Sequence, residues 1–298
     1  MIKITAFISL AILLQTYCAS ANIVAPAVSK HVDVGGVKLY IVCYGEGTPS
    51  IVVNSGFGGA GSQGGWEEVI RHMSPSNQIC LYDRANLGKS EPFSGHYDVG
   101  VMAKQLGILL KKAQVQAPHI LVGHSYGSYP IKLFNHAFPE RVAAILLVDP
   151  TQYDMFNNAI AKWAPEQDTY SASFTQRMQD ELSGWHNPDQ NPEKVDLKAS
   201  AQLIKDSRDF GDTPYVLLWS KNGVWRGGDA PVDWHPKAWQ RMKTMYAEAI
   251  DKMHSLSSDK KIVFANTPQH NIFQYEPESV VKELRYLLDK LNQAPEKN

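Results

Sequence analysis

Apolar and polar positions along the chain form two alternating kinds of pattern. Short apolar runs, each of which we predict to form a strand that ends in a turn or polar loop, occur in KLYIVCYGEG, SIVVNSG, QICLYDRANLGKS, HILVGHS, RVAAILLVDP, PYVLLWS and KIVFANT. Between them lie segments with helical spacing of apolar residues, including WEEVIRHM, DVGVMAKQLGILLKKAQV and SVVKELRYLLDKL. Strands that alternate with helices predict a mostly parallel α/β sheet with right-handed crossovers. Because several strands are apolar at nearly every position, we expect both faces of the sheet to be covered.

The alternation stops after Pro150. Residues 151–212 contain no strand-like run, but they carry helical segments and aromatic residues that look exposed, namely Phe156, Trp163, Tyr170, Phe174 and Trp185. About 60 residues is too long for a simple loop between two strands. We therefore predict a helical cap at residues 151–212, inserted into an α/β core at residues 22–150 and 213–298. A plain surface insertion is the alternative.

The first 21 residues have the pattern of a cleaved secretory signal. Lys3 precedes an apolar run at residues 4–14, and the small residues Ala-Ser-Ala end at Ala21. The apolar run is short for a membrane span. We predict cleavage near Ala21, export to the periplasm or the medium, and no stable membrane insertion afterwards. An uncleaved anchor is the alternative.

Composition restricts the partners that the protein can have. The chain has 298 residues, of which 44% are hydrophobic and 20% are charged, and its formal net charge is −1. This balance is typical of a globular protein and argues against nucleic acid as a partner, which needs a basic face. No HxxEH-like motif or clustered Cys/His spacing occurs, so we expect no metal and no cofactor.

A glycine-framed serine is the strongest chemical motif. Residues 123–127, GHSYG, match G-x-S-x-G, follow a predicted strand and open a predicted helix. A sharp turn there would lift the Ser125 hydroxyl clear of the sheet, and glycines would avoid collisions across the turn. Ser125 is therefore the predicted nucleophile. The alternative is a glycine-rich turn whose serine caps the helix.

The serine needs a base and an acid. Of ten histidines, His270 lies just beyond the last strand, at the carboxyl edge where active-site loops of parallel sheets converge. It also comes late in the chain, as the order serine, acid, histidine requires. Asp149 ends the strand AAILLV and is the predicted acid. The alternatives for the acid are Asp229, Asp233 and Asp154, or a structural role for Asp149 at the start of the cap.

Two backbone N–H groups should form the oxyanion hole. One belongs to Tyr126, the residue after the nucleophile, and the other to Phe57 in the glycine-rich loop after SIVVNSG. A phosphate-binding loop would require a Gly-Lys-Ser/Thr ending, which this tract lacks.

Several motifs together resemble the α/β-hydrolase superfamily over residues 31–291. They are VDVGGVKLYIVCYGEG, NSGFGG, YDRANLGKSEP, GHSYG, LVDP and QHNIFQYEPESVV. They look most like an exported branch with the pattern YDRAGLGxS, which is related to proline iminopeptidases and haloalkane dehalogenases. The resemblance implies an eight-stranded, mostly parallel sheet with strand order 1-2-4-3-5-6-7-8, helices on both faces and a cap after strand six. It also allows the acid to follow strand six, which favours Asp149.

Cys43 and Cys80 lie in two predicted strands and form either a disulfide or two buried thiols. The strand order implied by the resemblance makes these strands neighbours, which favours the bridge.

The chain departs from the family pattern at three places. Asn54-Ser55-Gly56-Phe57 replaces the commoner His-Gly motif at the oxyanion loop. Asn86 occupies a usual glycine position, and asparagine tolerates the left-handed backbone expected there. No acid follows strand seven directly, so a dyad without Asp149 stays open. We interpret Asp83-Arg84 as a structural pair that braces the loop near the site.

These features predict a serine hydrolase that cleaves a small or medium carboxylic ester, lactone or amide through an acyl-enzyme intermediate. The alternatives are an aminopeptidase of the proline iminopeptidase kind, an acyltransferase with the same triad, and a non-catalytic binding protein. An aminopeptidase would need acidic cap residues for the free amine, and the cap offers Glu166, Asp180 and Glu181.

Overall fold

The centre of the protein is a sheet of eight strands. The computed structural model describes residues 25–153, 163–164, 168–223 and 235–293. Within them the strand order is β1-β2-β4-β3-β5-β6-β7-β8, as the resemblance implies. β2 pairs antiparallel with β1 and β4, and all other neighbours are parallel. The strands are β1 (Val28–Asp33), β2 (Lys38–Tyr44), β3 (Ser50–Asn54), β4 (Ile79–Tyr82), β5 (His119–His124), β6 (Val142–Val148), β7 (Tyr215–Trp219) and β8 (Lys260–Phe264).

Both faces of this sheet are buried, which explains the nearly continuous apolar strands. Leu146 and Leu147 are adjacent in β6, yet they belong to two different hydrophobic clusters on opposite faces. Val52 and Val53 in β3 divide in the same way. Since successive side chains of a strand point to opposite faces, a strand covered on both sides must be apolar at every position.

Helices cover the two faces. They are α1 (Glu67–Met73), α2 (Val99–Ala113), α3 (Ser128–Ala137), α4 (Ala172–His186), α5 (Leu197–Asp206), α6 (Pro236–Ser255), α7 (Ile272–Tyr275) and α8 (Pro277–Gln293). Local signals fix several ends. The Asp98 side chain accepts a hydrogen bond from the Val101 N–H group and caps the start of α2. Gln114, directly after the helix, has a left-handed conformation that ends it. None of the helices in the described part of the chain is long and apolar enough to cross a membrane.

The segment between β6 and β7 contains α4, α5 and no strand among its described residues. Three of the aromatic residues predicted to be exposed, Trp163, Tyr170 and Phe174, are buried or half-buried. Tyr170 stacks between Trp163 and Phe174, and the Phe174 side chain is buried. Phe156 lies outside the described residues. The cap boundaries at residues 151–212 stay a prediction.

The structure contains two secondary-structure elements that the pattern of apolar residues did not predict. β1 alternates weakly, with mostly exposed residues, and α7 is a single turn after His270. The predicted signal segment, residues 1–21, lies outside the described residues.

Cys43 and Cys80 form a disulfide. They face each other directly in the antiparallel register of β2 and β4, with their Cα atoms 4.0 Å apart. The bridge therefore joins β2 to the parallel part of the sheet, and the alternative of two free thiols is excluded.

Candidate active site

Ser125 lies on a strained turn between β5 and α3. Its φ angle is 51°, which is unfavourable for a residue with a side chain. Such strain costs about 1–3 kcal/mol and is typical of functional sites. A short 3₁₀ turn, Ser125–Gly127, leads directly into α3. The predicted order of strand, sharp turn and helix around Ser125 is therefore confirmed.

The two framing glycines are required for different reasons. A Cβ atom on Gly123 would lie 2.7 Å from Ile131 Cδ1 and 3.0 Å from the backbone of Ser128, so it would collide across the turn as predicted. A Cβ atom on Gly127 would instead lie 2.1 Å from the carbonyl oxygen of Asn54. The second glycine therefore accommodates the end of β3, and the expectation that it avoids a collision across the turn was wrong.

Asp149 and His270 are joined by a hydrogen bond. His270 Nδ1 donates to Asp149 Oδ2 at 2.8 Å, and the Ser220 N–H group donates to Asp149 Oδ1 at 2.8 Å. Asp149 is buried, whereas the His270 side chain is 55% exposed. Asp149 also has a positive φ of 42°, which turns the chain sharply at the end of β6. A carboxylate held in this way fixes the imidazole tautomer and leaves Nε2 for a reacting group.

Of the other acids that the sequence offered for this role, Asp154, Asp229 and Asp233 lie outside the described residues. Of the acidic residues suggested for amine binding, Asp180 and Glu181 are exposed on α4, and Glu166 lies outside the described residues.

Glu276 holds the loop that carries His270. Its carboxylate accepts hydrogen bonds from the Thr267 N–H group at 2.6 Å and from Asn266 Nδ2 at 3.3 Å. It also accepts a hydrogen bond from the Ser279 hydroxyl. These bonds lower the pKa of the Glu276 carboxyl even though its burial acts in the opposite direction. Glu276 therefore ties the loop between β8 and α7 to the start of α8.

His124 contacts the same loop. Its Nε2 donates to the carbonyl oxygen of His270 at 3.2 Å, and the two rings lie 4.7 Å apart. Phe273 packs edge-on against the other side of the His124 ring. Burial, followed by the nearby charge of His270, lowers the pKa of His124 to about 4. A neutral His124 therefore links the nucleophile turn to the backbone of the loop that carries His270.

The loop after β3 lies against the nucleophile turn. A Cβ atom on Gly56 would lie 3.1 Å from His124 Nδ1 and 3.4 Å from Ser125 Cβ. The next residue, Phe57, has a 42% exposed side chain that packs edge-on against Tyr126. Within the described residues, the Phe57 N–H group donates to no acceptor. This backbone group is therefore available at the loop predicted to supply an oxyanion donor.

Asp83 and Arg84 brace two different loops. Asp83 accepts hydrogen bonds from the Ser62 N–H and hydroxyl groups and from the Lys89 N–H group. Arg84 forms a buried ion pair with Glu193, a residue that the sequence analysis did not single out. Asn86 has the left-handed φ expected for it, 69°, and its side chain donates to the Glu193 carbonyl. The polar stretch that contains Glu193 gave no signal of burial.

Comparisons with known proteins agree with this architecture. A family model described as the alpha/beta hydrolase fold matches residues 49–195. Bacillus subtilis YqjL is 26% identical over 237 residues, 79% of this chain and 82% of that protein. The protein named putative carbamate hydrolase RutD, from Azorhizobium caulinodans, is 32% identical over 115 residues, 39% of this chain and 42% of its own length.

Solved structures agree as well. ALR0039, a putative alpha/beta hydrolase from Nostoc sp. PCC 7120, superposes with a TM-score of 0.61 at 15% identity, covering 88% of this chain and 97% of its own. A putative lipase from Acinetobacter baumannii has a TM-score of 0.57 at 15% identity, with 89% and 92% covered. The chain thus has the α/β-hydrolase fold.

Proposed function

We propose that the protein is a serine hydrolase that cleaves a small or medium carboxylic ester, lactone or amide through an acyl-enzyme intermediate. The observation that carries this proposal is the hydrogen bond between His270 and buried Asp149. It lies at the carboxyl edge of the sheet, where Ser125 occupies its strained turn. A nucleophile on such a turn and a carboxylate-oriented imidazole are the parts that acyl transfer requires.

The proposed reaction has two halves. Ser125 Oγ attacks the substrate carbonyl while His270 Nε2 takes its proton, and Asp149 stabilises the resulting imidazolium. The N–H groups of Phe57 and Tyr126 stabilise the tetrahedral oxyanion. The intermediate collapses, His270 returns the proton to the leaving alcohol or amine, and Ser125 is left acylated. His270 Nε2 then takes a proton from a water molecule, which attacks the acyl carbonyl. The bond between the acyl carbon and Ser125 Oγ breaks, His270 returns the proton to Oγ, and the carboxylic acid leaves.

The substrate class follows from the side chains near the site. Phe57 exposes an aromatic ring beside the predicted oxyanion donor, which favours an apolar acyl or alcohol group. A free amine would need a carboxylate near the nucleophile. The two described acidic residues suggested for this role are exposed on α4, and the buried Glu193 carboxylate is paired with Arg84. An ester is therefore favoured over an amino-terminal peptide substrate. RutD is named as a carbamate hydrolase, and a carbamate carbonyl is open to the same attack.

We also propose that the chain belongs to the exported branch with the YDRAGLGxS pattern. The stretch YDRANLGKS and the apolar stretch near the N-terminus support this. The Cys43–Cys80 bridge supports it too, since disulfides persist mainly in oxidising compartments. Cell fractionation of the native host tests it: recovery in the periplasm or the medium is expected, and recovery with reduced cysteines in the cytoplasm would contradict it.

A panel of substrates tests the proposed function. Purified protein should hydrolyse p-nitrophenyl esters of short or medium acyl chains faster than the p-nitroanilide of proline. Ser125→Ala should lower turnover by roughly 10⁶-fold. Unchanged turnover in Ser125→Ala would overturn the proposal. Product analysis with an added alcohol separates the outcomes, since a new ester in excess over free acid would indicate an acyltransferase.

A further inference from the structure

We propose that Arg84 and Glu193 are positioning residues that fix the oxyanion hole, by holding the peptide unit whose N–H group belongs to Phe57. This inference rests on the serine-hydrolase function proposed above. If Glu193 positions this loop, activity depends on a residue from the segment between β6 and β7.

Arg84 binds the carbonyl side of the relevant peptide. Its Nη2 donates to the carbonyl oxygen of Gly56 at 2.7 Å, and its Nη1 donates to the carbonyl oxygen of Ser55 at 2.7 Å. The Gly56 carbonyl and the Phe57 N–H group belong to one planar peptide unit. In a trans peptide these two groups point in opposite directions. When Arg84 holds the oxygen from the buried side, it therefore directs the N–H group away from the protein interior.

Glu193 holds the guanidinium and the next turn of the loop. Its Oε2 accepts from Arg84 Nε at 2.7 Å and its Oε1 accepts from Arg84 Nη2 at 2.6 Å, a bidentate pair. Oε1 also accepts from the Gly58 N–H group at 2.7 Å. The two side chains are 2% and 0% exposed. The peptide units on both sides of Phe57 are therefore fixed by one buried network.

The network acts through geometry rather than through net charge. Burial alone would lower the pKa of the Arg84 guanidinium, but the Glu193 carboxylate outweighs this effect and raises that pKa, so the guanidinium stays charged. Arg84 and Glu193 carry opposite charges, so the pair adds no net charge beside the loop. A lysine could supply the charge, but it has no planar fork with which to reach Glu193 and two carbonyl oxygens together.

The first test compares Arg84→Lys and Glu193→Gln with Glu283→Gln. Glu283 is a matched control, because its buried carboxylate accepts a hydrogen bond from Lys261 near the amino end of β8, far from the carboxyl edge. Arg84→Lys and Glu193→Gln should lower kcat about 10- to 100-fold with KM changed less than about twofold. Glu283→Gln should leave both constants near the wild-type values.

The second test separates positioning from general damage. An ester and the matching thionoester, in which sulfur replaces the carbonyl oxygen, are compared in each variant. Sulfur is a weaker hydrogen-bond acceptor than oxygen, and hydrogen bonds to sulfur are longer. Donors placed for oxygen therefore stabilise a negatively charged sulfur less. Arg84→Lys should therefore lose about 10-fold more kcat on the ester than on the thionoester. Equal losses on both substrates would overturn the proposal.

The two tests remain informative if one variant misfolds. If Arg84→Lys does not fold, the same ester-to-thionoester ratio is read from Glu193→Gln, and from Glu193→Asp, which keeps the charge. Ser125→Ala distinguishes the two proposals. If Ser125→Ala is inactive and the ratio is unchanged in the Arg84 and Glu193 variants, only this inference fails. If Ser125→Ala remains active, the serine-hydrolase function itself fails.

Discussion

His270 Nδ1 donates a 2.8 Å hydrogen bond to Asp149 Oδ2, although the two residues lie 121 positions apart in the chain. The acid follows β6 and the histidine follows β8, with β7 between these strands in the sheet. Asp149 spans this gap because its positive φ turns the chain towards β7, where the Ser220 N–H group binds its other oxygen. An acid placed after the sixth strand can therefore reach the histidine.

Asp149→Asn should lower kcat/KM by about 10⁴, because an amide cannot stabilise the imidazolium and can favour the wrong tautomer. Steady-state kinetics on a p-nitrophenyl ester measure this loss. Asp98→Asn is the control, since Asp98 caps α2 away from the site and its replacement should leave turnover unchanged. Near-normal turnover in Asp149→Asn, combined with a large loss in Asp233→Asn, would show that the acid is assigned wrongly.

Gly127→Ala should destabilise the protein by about 3 kcal/mol or more, because the new methyl group would overlap the Asn54 carbonyl of β3. Gly123→Ala should cost less, since its nearest atom is the end of the Ile131 side chain, which can rotate, and the Ser128 backbone lies farther away, at 3.0 Å. Urea unfolding of both variants measures the difference. A Gly127→Ala protein as stable as the wild type would be incompatible with the described approach of α3 to β3.

Removal of the disulfide through Cys43→Ala/Cys80→Ala should lower the free energy of unfolding by about 2–4 kcal/mol, since the bridge closes a loop of 37 residues in the unfolded chain. Urea unfolding with and without a reducing agent measures this effect. The wild type should become less stable on reduction, and the double variant should not respond. Alkylation of the cysteines in the denatured protein tests the bridge directly. Equal labelling before and after reduction would mean that no bridge exists.

Acid should destabilise the fold through two buried histidines. Burial lowers the pKa of His119 and of His124 to about 4, with the charges of Arg141 and His270 as the second causes. Both stay neutral in the folded state, whereas the unfolded chain takes up protons below pH 6.5. Their stability contribution is therefore present above pH 6.5 and is lost as the pH falls towards 4.

The expected loss is about 2 kcal/mol for each histidine between pH 7 and pH 5. Unfolding free energies in urea at several pH values measure the slope. His119→Asn, which cannot titrate in this range, should remove about half of it. A wild-type stability that does not change between pH 7 and pH 5 would contradict the assignment of both groups as neutral.

Much of the fold was predictable because both faces of the sheet are covered. A strand such as β6 must then be apolar throughout, and this pattern is visible without a structure. Ser125, His270 and Asp149 could be selected because each follows a recognisable strand at the carboxyl edge. β1 escaped notice because its residues are mostly exposed and lack a clear alternation.

The supporting residues of the site were not predictable in the same way. Glu193 comes from a polar stretch that would ordinarily be exposed, and only the folded chain shows that it is buried against Arg84. The contact that His124 makes could not be predicted, because its partner is a backbone carbonyl 146 positions away, which leaves no mark on the local sequence. Contacts of this kind depend on tertiary structure, which periodicity and motifs do not encode.

Covalent labelling with a fluorophosphonate, followed by peptide mass spectrometry, tests the central claim most directly. The account predicts one label, on Ser125, with labelling abolished in Ser125→Ala and strongly slowed in His270→Ala. A label on another residue, or an enzyme that hydrolyses esters while Ser125 stays unlabelled, would contradict it.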